Sequence, residues 1–152
     1  MGRQLRSQGR TQPQVNPVQA GIFVDTSVWS LALRRDAPTD HAAVALLREA
    51  LLDGTTVVIS GIVLQELLQG FHGPKDRARI LERLRVLPLL EPERDTYVRA
   101  AQLRNTCRRR GVQLGTIDAL IAQLCIEHDL ALLTVDKDFE HAARFVPLQL
   151  AI

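Results

Sequence analysis

The sequence predicts an α/β fold, a three-layer α/β/α sandwich built around a central parallel sheet of four to five strands. Short runs rich in Val and Ile alternate along the chain with longer stretches in which Leu, Ala and Arg recur at helical spacing. The strand-like runs are continuously apolar, which is typical of parallel strands that helices cover on both faces. The chain has 152 residues, enough for one domain with a substantial core.

Composition divides the chain into two unequal parts. Residues 1–20 are rich in Gln, Arg, Pro and Gly and show no periodicity, so we expect a disordered N-terminal leader or a cloning remnant. Residues 21–152 carry the periodic patterns and form the predicted folded domain. The leader holds three arginines and no acid, which leaves the domain with a net charge of −1 although the whole chain carries +2. Nucleic-acid binding by the domain would therefore depend on local basic patches.

Several function classes are disfavoured by composition. Cys107 and Cys125 lie in helical patterns without ligand-type spacing, so neither a disulfide framework nor a zinc site is expected. No apolar run reaches the roughly 18 residues that a membrane span needs. The N-terminus lacks the apolar core of a secretory signal. We therefore expect a cytoplasmic protein that does not enter a membrane.

The first half of the chain is expected to alternate two strands with three helices. Ile22, Phe23 and Val24 predict a buried strand, and Thr26 or Ser27 can cap the helix that follows. The elements after this strand are a helix over residues 27–33, a helix over 41–52 capped by Asp40, a strand over 55–60 and a helix over 62–69.

The second half is expected to hold three further strands among the remaining helices. Its longest helix, over residues 93–110, would bury Val98, Ala101 and Leu103, with Cys107 as a further candidate. The other elements are a helix beginning at Pro74 and ending near residue 83, a strand over 85–90, a helix over 117–128 capped by Thr116, a strand over 130–135, a short helix over 139–143 and a last strand over 145–150.

Four acidic residues occupy comparable places in this pattern. Asp25 and Asp136 each end a predicted strand, Asp118 opens a helix, and Glu66 lies one to two turns into the helix after the second strand. Each acid alone has a structural explanation, such as accepting bonds from a helix N-terminus. In a parallel sheet, however, all of these positions meet at one edge, where ligand crevices lie. We therefore expect the four carboxylates to converge.

Convergence of like charges calls for a compensating charge. Two carboxylates about 5 Å apart repel by roughly 3 kcal/mol at an effective dielectric near 20. Either some of them take up protons or a divalent cation neutralises them. Carboxylate oxygens together with water suit Mg²⁺ or Mn²⁺ and not Zn²⁺. Such a site can activate water and stabilise charge on a phosphoryl group, so it favours phosphodiester hydrolysis.

The stretches around these acids resemble a known family. The motifs that carry the likeness are Val24-Asp25-Thr26-Ser27-Val28-Trp29, Gln65-Glu66-Leu67-Leu68-Gln69-Gly70, Thr116-Ile117-Asp118-Ala119-Leu120-Ile121-Ala122 and Leu133-Thr134-Val135-Asp136-Lys137-Asp138-Phe139. Together they resemble a PIN domain, and more narrowly the toxin ribonucleases of VapBC toxin–antitoxin pairs. The resemblance covers about residues 21–150, and it depends on four motifs in the right order.

The resemblance implies a Mg²⁺- or Mn²⁺-dependent endoribonuclease toxin that cuts transfer RNA or another structured RNA. It also implies neutralisation by a VapB-like antitoxin, and a homodimer. Matching positions make Asp25, Glu66, Asp118 and Asp136 the acidic quartet, with Asp25 and Asp118 as the leading metal ligands. Matching also implies supporting roles behind the ligands for Asp138 and for the hydroxyls of Thr26, Ser27 and Thr134.

Two groups of arginines are weaker candidates for RNA contact. Arg108, Arg109 and Arg110 precede the helix that carries Asp118, and they could contact phosphates. A solvated helix end explains them equally well, because cations favour helix C-termini. Arg34 and Arg35 follow the helix beside Asp25, where RNA or antitoxin contact is conceivable.

Two other functions compete with the nuclease. A catalytically silent PIN-like module could bind RNA or protein, although it would have no reason to retain like charges at an electrostatic cost. A phosphotransfer domain of the receiver or haloacid-phosphatase kind would also be doubly wound and bind Mg²⁺. Asp25-Thr26-Ser27 lacks the second Asp of the phosphatase motif, and the chain has no early acidic pair of the receiver kind.

Overall fold

The structure is a computed structural model that describes residues 21–34 and 40–151. Its described part holds one sheet of four strands in the order β3-β2-β1-β4, and every pairing is parallel. β1 lies between β2 and β4, with Ile22 opposite both Val57 and Ala131. The strands are β1 (Ile22–Val24), β2 (Val57–Ser60), β3 (Leu89–Leu90) and β4 (Ala131–Leu133).

Seven helices in the described residues flank this sheet. They are α1 (Thr26–Ala32), α2 (Ala42–Asp53), α3 (Gly61–Gly70), α4 (Pro74–Leu84), α5 (Arg94–Arg109), α6 (Thr116–Glu127) and α7 (Lys137–Ala142). The central strands are buried on both faces, since Phe23, Val24, Leu132 and Leu133 have no exposed surface. This burial explains why their sequences are continuously apolar. The predicted α/β sandwich with a parallel sheet is confirmed.

Three predicted helix caps are wrong. Asp25, and neither Thr26 nor Ser27, occupies the position before α1, and its side chain does not cap the helix. His41 caps α2 in place of Asp40, because its Nδ1 accepts a hydrogen bond from the backbone N–H of Ala43 at 3.1 Å. Before α6 the chain has Gly115, while Thr116 is already helical.

Two predicted strands are also corrected. The strand expected over 85–90 shrinks to Leu89–Leu90, because the backbone N–H groups of Arg85 and Leu87 still bond to carbonyls of α4. The strand expected over 145–150 is absent from the described residues, where a single bridge joins Leu132 to Leu150. Residues 145 and 146 continue the turn after α7 by bonding to the carbonyl of Ala142.

The buried face of α5 differs from the prediction. Val98 is 51% exposed and Ala101 is also exposed. The buried stripe instead consists of Thr96, Ala100, Leu103 and Cys107, spaced at three and four residues. Leu103 and Cys107 were placed correctly, but the first half of the buried face differs because the stripe begins with a polar residue, Thr96. α5 packs against α6, so this face also fixes the surroundings of α6.

Some expectations fall outside the described residues. The leader 1–20 and Arg35 are among them, so the predicted division of the chain at residue 21 stays a prediction. Within the described ranges, none of the helices combines the length and the apolar character needed to cross a bilayer.

Candidate metal centre

The four acids of the predicted quartet are carried by four different parts of the fold. Asp25 directly follows β1, Asp136 is the residue before α7, and Asp118 lies in the first turn of α6. Glu66 lies in the middle of α3, the helix that follows β2. All of these elements start at the carboxyl end of the parallel sheet, as the strand pattern predicts.

Asp25 is held in a fixed orientation by two hydroxyl groups. Its side chain is only 6% exposed. Its Oδ2 accepts hydrogen bonds from Ser27 Oγ at 2.7 Å and from Thr134 Oγ1 at 2.9 Å. Oδ1 has no hydrogen-bond partner among the described residues. One oxygen of the carboxylate is therefore anchored, and the other remains available to a ligand.

The same hydroxyls tie the end of β4 to α1. Ser27 Oγ accepts a bond from the backbone N–H of Val135 at 3.2 Å, and Thr134 Oγ1 accepts one from that of Asp136 at 3.0 Å. Asp136 Oδ1 in turn accepts from the N–H of Asp138 at 2.9 Å. This chain of bonds fixes the loop that carries two of the acids.

Glu66 is oriented by the other hydroxyl of the first motif. Thr26 Oγ1 donates to Glu66 Oε1 at 3.0 Å, across a sequence separation of 40 residues. α1 and α3, which carry the two residues, pack against each other. The hydroxyl groups of Thr26 and Ser27 therefore each donate a hydrogen bond to a carboxylate, although their predicted role was to cap the helix.

Asp118 is the acid most affected by the others. Burial raises its pKa to about 6, and the charges of Asp25, Asp136, Glu66 and Asp138 contribute further to that rise. Asp118 has no hydrogen-bond donor among the described residues. Its carboxylate is therefore half-buried, without donors, and inside the field of four other acids.

Three of the carboxylates come close enough to share an ion. One oxygen from each of Asp118, Asp136 and Asp138 lies within 4.8 Å of the other two. Mg²⁺ binds oxygens at about 2.1 Å, so its ligand oxygens lie about 3–4 Å apart, close to the separations of these three carboxylates. An all-oxygen donor set fits Mg²⁺ or Mn²⁺.

No cysteine completes a softer donor set at this site. Burial and the charge of Asp25 raise the pKa of the Cys125 thiol, so the thiol stays protonated at neutral pH. A protonated thiol is a poor metal ligand. The donor chemistry of the described site is therefore that of carboxylates.

The geometry changes the ranking of the predicted site residues. Sequence analysis placed Asp25 and Asp118 first and gave Asp138 a supporting role, whereas the tightest group joins Asp118 with Asp136 and Asp138. The signal that could have found this is the Asp-x-Asp spacing at the end of β4, because the turn at Asp136 brings both side chains together.

The arginine candidates are placed unequally. Arg108 and Arg109 form the last turn of α5, Arg110 follows it, and all three are exposed. Arg34 is exposed near the end of α1. Arg104 was not among the predicted residues, and its Nε donates to the carbonyl of Leu114 at 2.9 Å, two residues before α6. Its spacing of four residues from Arg108 was the available signal.

Comparison with known proteins identifies the family of the chain. The model of the PIN domain family matches residues 22–145. A VapC ribonuclease of Mycobacterium bovis is 30% identical over 132 residues, which is 86% of this chain and 97% of that protein. PIN-domain nucleases generally use a divalent metal.

Solved structures show the same fold. The FitAcB structure from Neisseria gonorrhoeae is similar with a TM-score of 0.66 and 26% identity, covering 85% of this chain and 95% of that one. VapBC2 from Rickettsia felis, bound to a DNA fragment from its promoter, gives a TM-score of 0.68 at 23% identity, covering 85% and 96%. The chain therefore belongs to the PIN-domain family and, within it, to the VapC ribonucleases.

Proposed function

We propose that this protein is the toxin of a type II toxin–antitoxin pair and an endoribonuclease that depends on Mg²⁺ or Mn²⁺. The observation that carries the proposal is the convergence of four carboxylates on that of Asp118, with oxygens of Asp118, Asp136 and Asp138 within 4.8 Å of one another. A structural role does not explain five carboxylates in mutual repulsion, with no described donor for the Asp118 carboxylate at their centre. Transfer RNA or another structured RNA is the proposed substrate, which makes the cytoplasm the proposed location.

The proposed ion site combines Asp118 and Asp136 with the free Oδ1 of Asp25, and Asp138 and Glu66 complete the charge. A divalent ion bound there would supply Lewis acidity at a phosphate oxygen and ease the ionisation of water. Ser27 and Thr134 hold Asp25 so that its second oxygen faces the site at no cost of reorganisation.

Glu66 is proposed to act on the attacking water. Its Oε1 receives the Thr26 hydroxyl bond, which leaves Oε2 without a partner in the described part of the chain. A carboxylate held in this way can orient a water or accept its proton. Asp25, Asp118 and Asp136 would then serve mainly in binding the cation, and Glu66 completes the catalytic quartet.

The proposed antitoxin has a suitable surface to bind. A groove of about 450 Å³ lies between α1, α2 and α4, and its lining includes Trp29, Leu51, Leu52 and Val86. Leu52 is 81% exposed and Val86 76% exposed, which is unusual for large apolar side chains that lie in one groove. The buried Nε1 of Trp29 has no acceptor among the described residues. An amphipathic antitoxin segment would cover this surface.

A homodimer is also proposed, from the family resemblance and a second exposed surface. Tyr97 and Val98 on α5 are each more than half exposed, and Leu89 in the short strand β3 at the sheet edge is 50% exposed. Apolar side chains at such places are common at protein–protein contacts. This surface is distinct from the groove that we assign to the antitoxin.

The proposal is tested by RNA cleavage with purified protein freed of any partner. We expect Mn²⁺ to support the cutting of cellular RNA, and EDTA and the Asp25→Asn substitution to abolish it. Asp129→Asn is the matched control, because Asp129 is exposed and its φ of 51° suits Asn equally well. Sequencing the new RNA ends identifies the substrate. Uncut RNA in the presence of Mn²⁺ would favour the catalytically silent module instead.

A further inference from the structure

A cluster of arginines lies at the same end of the molecule as the acids. Arg104, Arg108, Arg109 and Arg110 occupy the C-terminal part of α5 and the residue after it. None of them forms an ion pair with a carboxylate in the described part of the chain, whereas Arg99 on the same helix pairs with Asp95 at 2.9 Å. Positive charge that no described carboxylate neutralises therefore accumulates at one end of α5, although Arg110 also lies over the ring of Phe145 at 5.8 Å.

Arg104 links this cluster to the metal site. Its Nε donates to the carbonyl of Leu114, the residue before Gly115. Gly115 precedes α6, and a Cβ added to Gly115 would lie 3.8 Å from Asp118 Oδ2. The segment Leu114-Gly115 therefore contacts Arg104 on one side and lies next to the Asp118 carboxylate on the other.

The cluster also encloses a cavity. A space of about 260 Å³ is lined by Arg104, Arg108, Val112, Gln113 and Leu114. The guanidinium of Arg108 makes no hydrogen bond to the described residues, and that of Arg104 makes one, through Nε. Two arginines whose guanidinium groups keep free N–H donors in the described structure therefore line one cavity. Guanidinium groups in such an arrangement match phosphate oxygens in both charge and geometry.

We propose that Arg104 and Arg108 form a phosphate-binding subsite for the RNA backbone, next to the acidic site that cleaves it. The inference rests on the proposed ribonuclease function and extends it to substrate positioning. The acids repel a phosphodiester, so an attractive contact beside them holds the strand while the cation offsets the charge at the cleaved bond. Arg104 is already oriented by Leu114 and loses less freedom when it binds a phosphate.

The structural alternative is stabilisation of the helix. Arg108 and Arg109 both lie in the last turn of α5, where positive charge favours the helix dipole. Arg109 has a protein partner, since its Nη2 donates to Thr106 Oγ1 at 3.3 Å. It does not line the cavity. Substitutions of Arg108 and Arg109 therefore distinguish the two explanations. If the arginines only stabilise the helix, both substitutions should have the same effect, whereas phosphate binding depends on Arg108 alone of these two.

The test measures binding of a labelled single-stranded RNA oligonucleotide in Mg²⁺, with every variant built on Asp118→Asn to prevent cleavage. We expect Arg104→Gln and Arg108→Gln each to weaken binding by about tenfold at low salt. Each should also reduce the slope of log affinity against log salt by about 0.7, the value for one phosphate contact on a single strand. Arg108→Lys should restore the slope but only part of the affinity.

Two control variants remove the same charge elsewhere. Arg94→Gln lies in the first turn of α5, about 20 Å along the helix from Arg108, and Arg109→Gln lies beside it. Both should leave the salt slope within about 0.2 of the parent protein. If Arg109→Gln reduced the RNA affinity and the salt slope as much as Arg108→Gln does, the contribution would come from the general positive charge of this region and not from a defined subsite. Unchanged slopes in Arg104→Gln and Arg108→Gln would also overturn it.

The experiments distinguish a failure of the phosphate-binding subsite from a failure of the proposed ribonuclease function. If the protein cuts RNA but Arg104→Gln and Arg108→Gln cut it with unchanged KM, the subsite is refuted and the nuclease stands. If the protein cuts no RNA but both variants still lose the expected salt slope, the nuclease proposal fails and the binding site stands.

Discussion

The two ends of α6 carry acids in opposite surroundings. At the C-terminal end, both oxygens of Glu127 have donors, from Thr96 Oγ1 at 2.9 Å and from Gln123 Nε2 at 3.0 Å. At the N-terminal end, Asp118 has no donor among the described residues and lies in the field of four other carboxylates. Both acids are partly buried, so what distinguishes them is whether donors or other carboxylates surround the side chain.

The network around Glu127 has a clear structural purpose. Thr96 and Gln123 are buried polar residues, with 3% and 6% of their surface exposed. Thr96 also accepts a hydrogen bond from the backbone N–H of Glu93, as part of the capping box of α5. The carboxylate therefore joins the start of α5 to the end of α6 and satisfies groups that would otherwise be buried without partners.

The largest expected difference between Asp118 and Glu127 is in RNA cleavage after the charge of each is removed. Asp118→Asn removes a proposed metal ligand, so we expect RNA cleavage with Mn²⁺ to fall by more than about a hundredfold. Glu127→Gln, at the other end of the same helix, should change the rate by less than about threefold. The rate of cleavage of one labelled RNA at saturating Mn²⁺ measures both. Equal losses of cleavage rate in the two variants would show that the acids at the two ends of α6 do not differ in function.

The order of the two acids should be reversed for stability, where the substitution of Glu127 has the larger cost. Glu127→Ala leaves the donors of Thr96 and Gln123 unpaired in a buried place, so we expect a loss of about 2 kcal/mol in the free energy of unfolding. Asp118→Asn should raise that free energy in EDTA, because it relieves repulsion. Urea denaturation at pH 7 measures both. Destabilisation by Asp118→Asn in EDTA would show that Asp118 has a structural role.

The raised pKa of Asp118 should also make the stability of the fold depend on pH, with a smaller effect whose sign follows from the direction of the shift. Asp118 has its pKa raised from 3.8 to about 6, so the folded state holds a proton that the unfolded state has lost in this interval. Stability should therefore fall as pH rises from about 4 to about 6, by roughly 1–2 kcal/mol once solvent screening is allowed for. Asp118→Asn should flatten this part of the curve, and added Mg²⁺ should restore stability above pH 6. Urea denaturation across this range tests it, and a slope unchanged in Asp118→Asn would contradict it.

Topology made the location of the acids predictable from sequence. Strand-like runs ending in Asp25 and Asp136 indicate a shared sheet edge, because parallel strands present their carboxyl ends together. The burial of the central strands was predictable for the same reason. Those inferences use only local patterns and the direction of the strands.

The contacts that tune the site were not predictable in this way. Thr134 is 109 residues from Asp25 in sequence, yet its hydroxyl shares one carboxylate oxygen with that of Ser27. Distances of this kind depend on helix packing and loop conformation, which local periodicity does not encode. The same limit explains the shifted face of α5 and the cap supplied by His41.

The most direct test of the central claim is a crystal structure of the protein soaked in Mn²⁺, with anomalous scattering recorded at the manganese edge. We predict one strong anomalous peak within about 2.2 Å of oxygens of Asp118 and Asp136, with Asp25 Oδ1 or a bridging water completing the ligands. The same soak of Asp118→Asn should lose the peak while the hydrogen bonds of Glu127 stay in place. Carboxylates that remain apart with no peak between them, in crystals of the unsubstituted protein, would contradict the account.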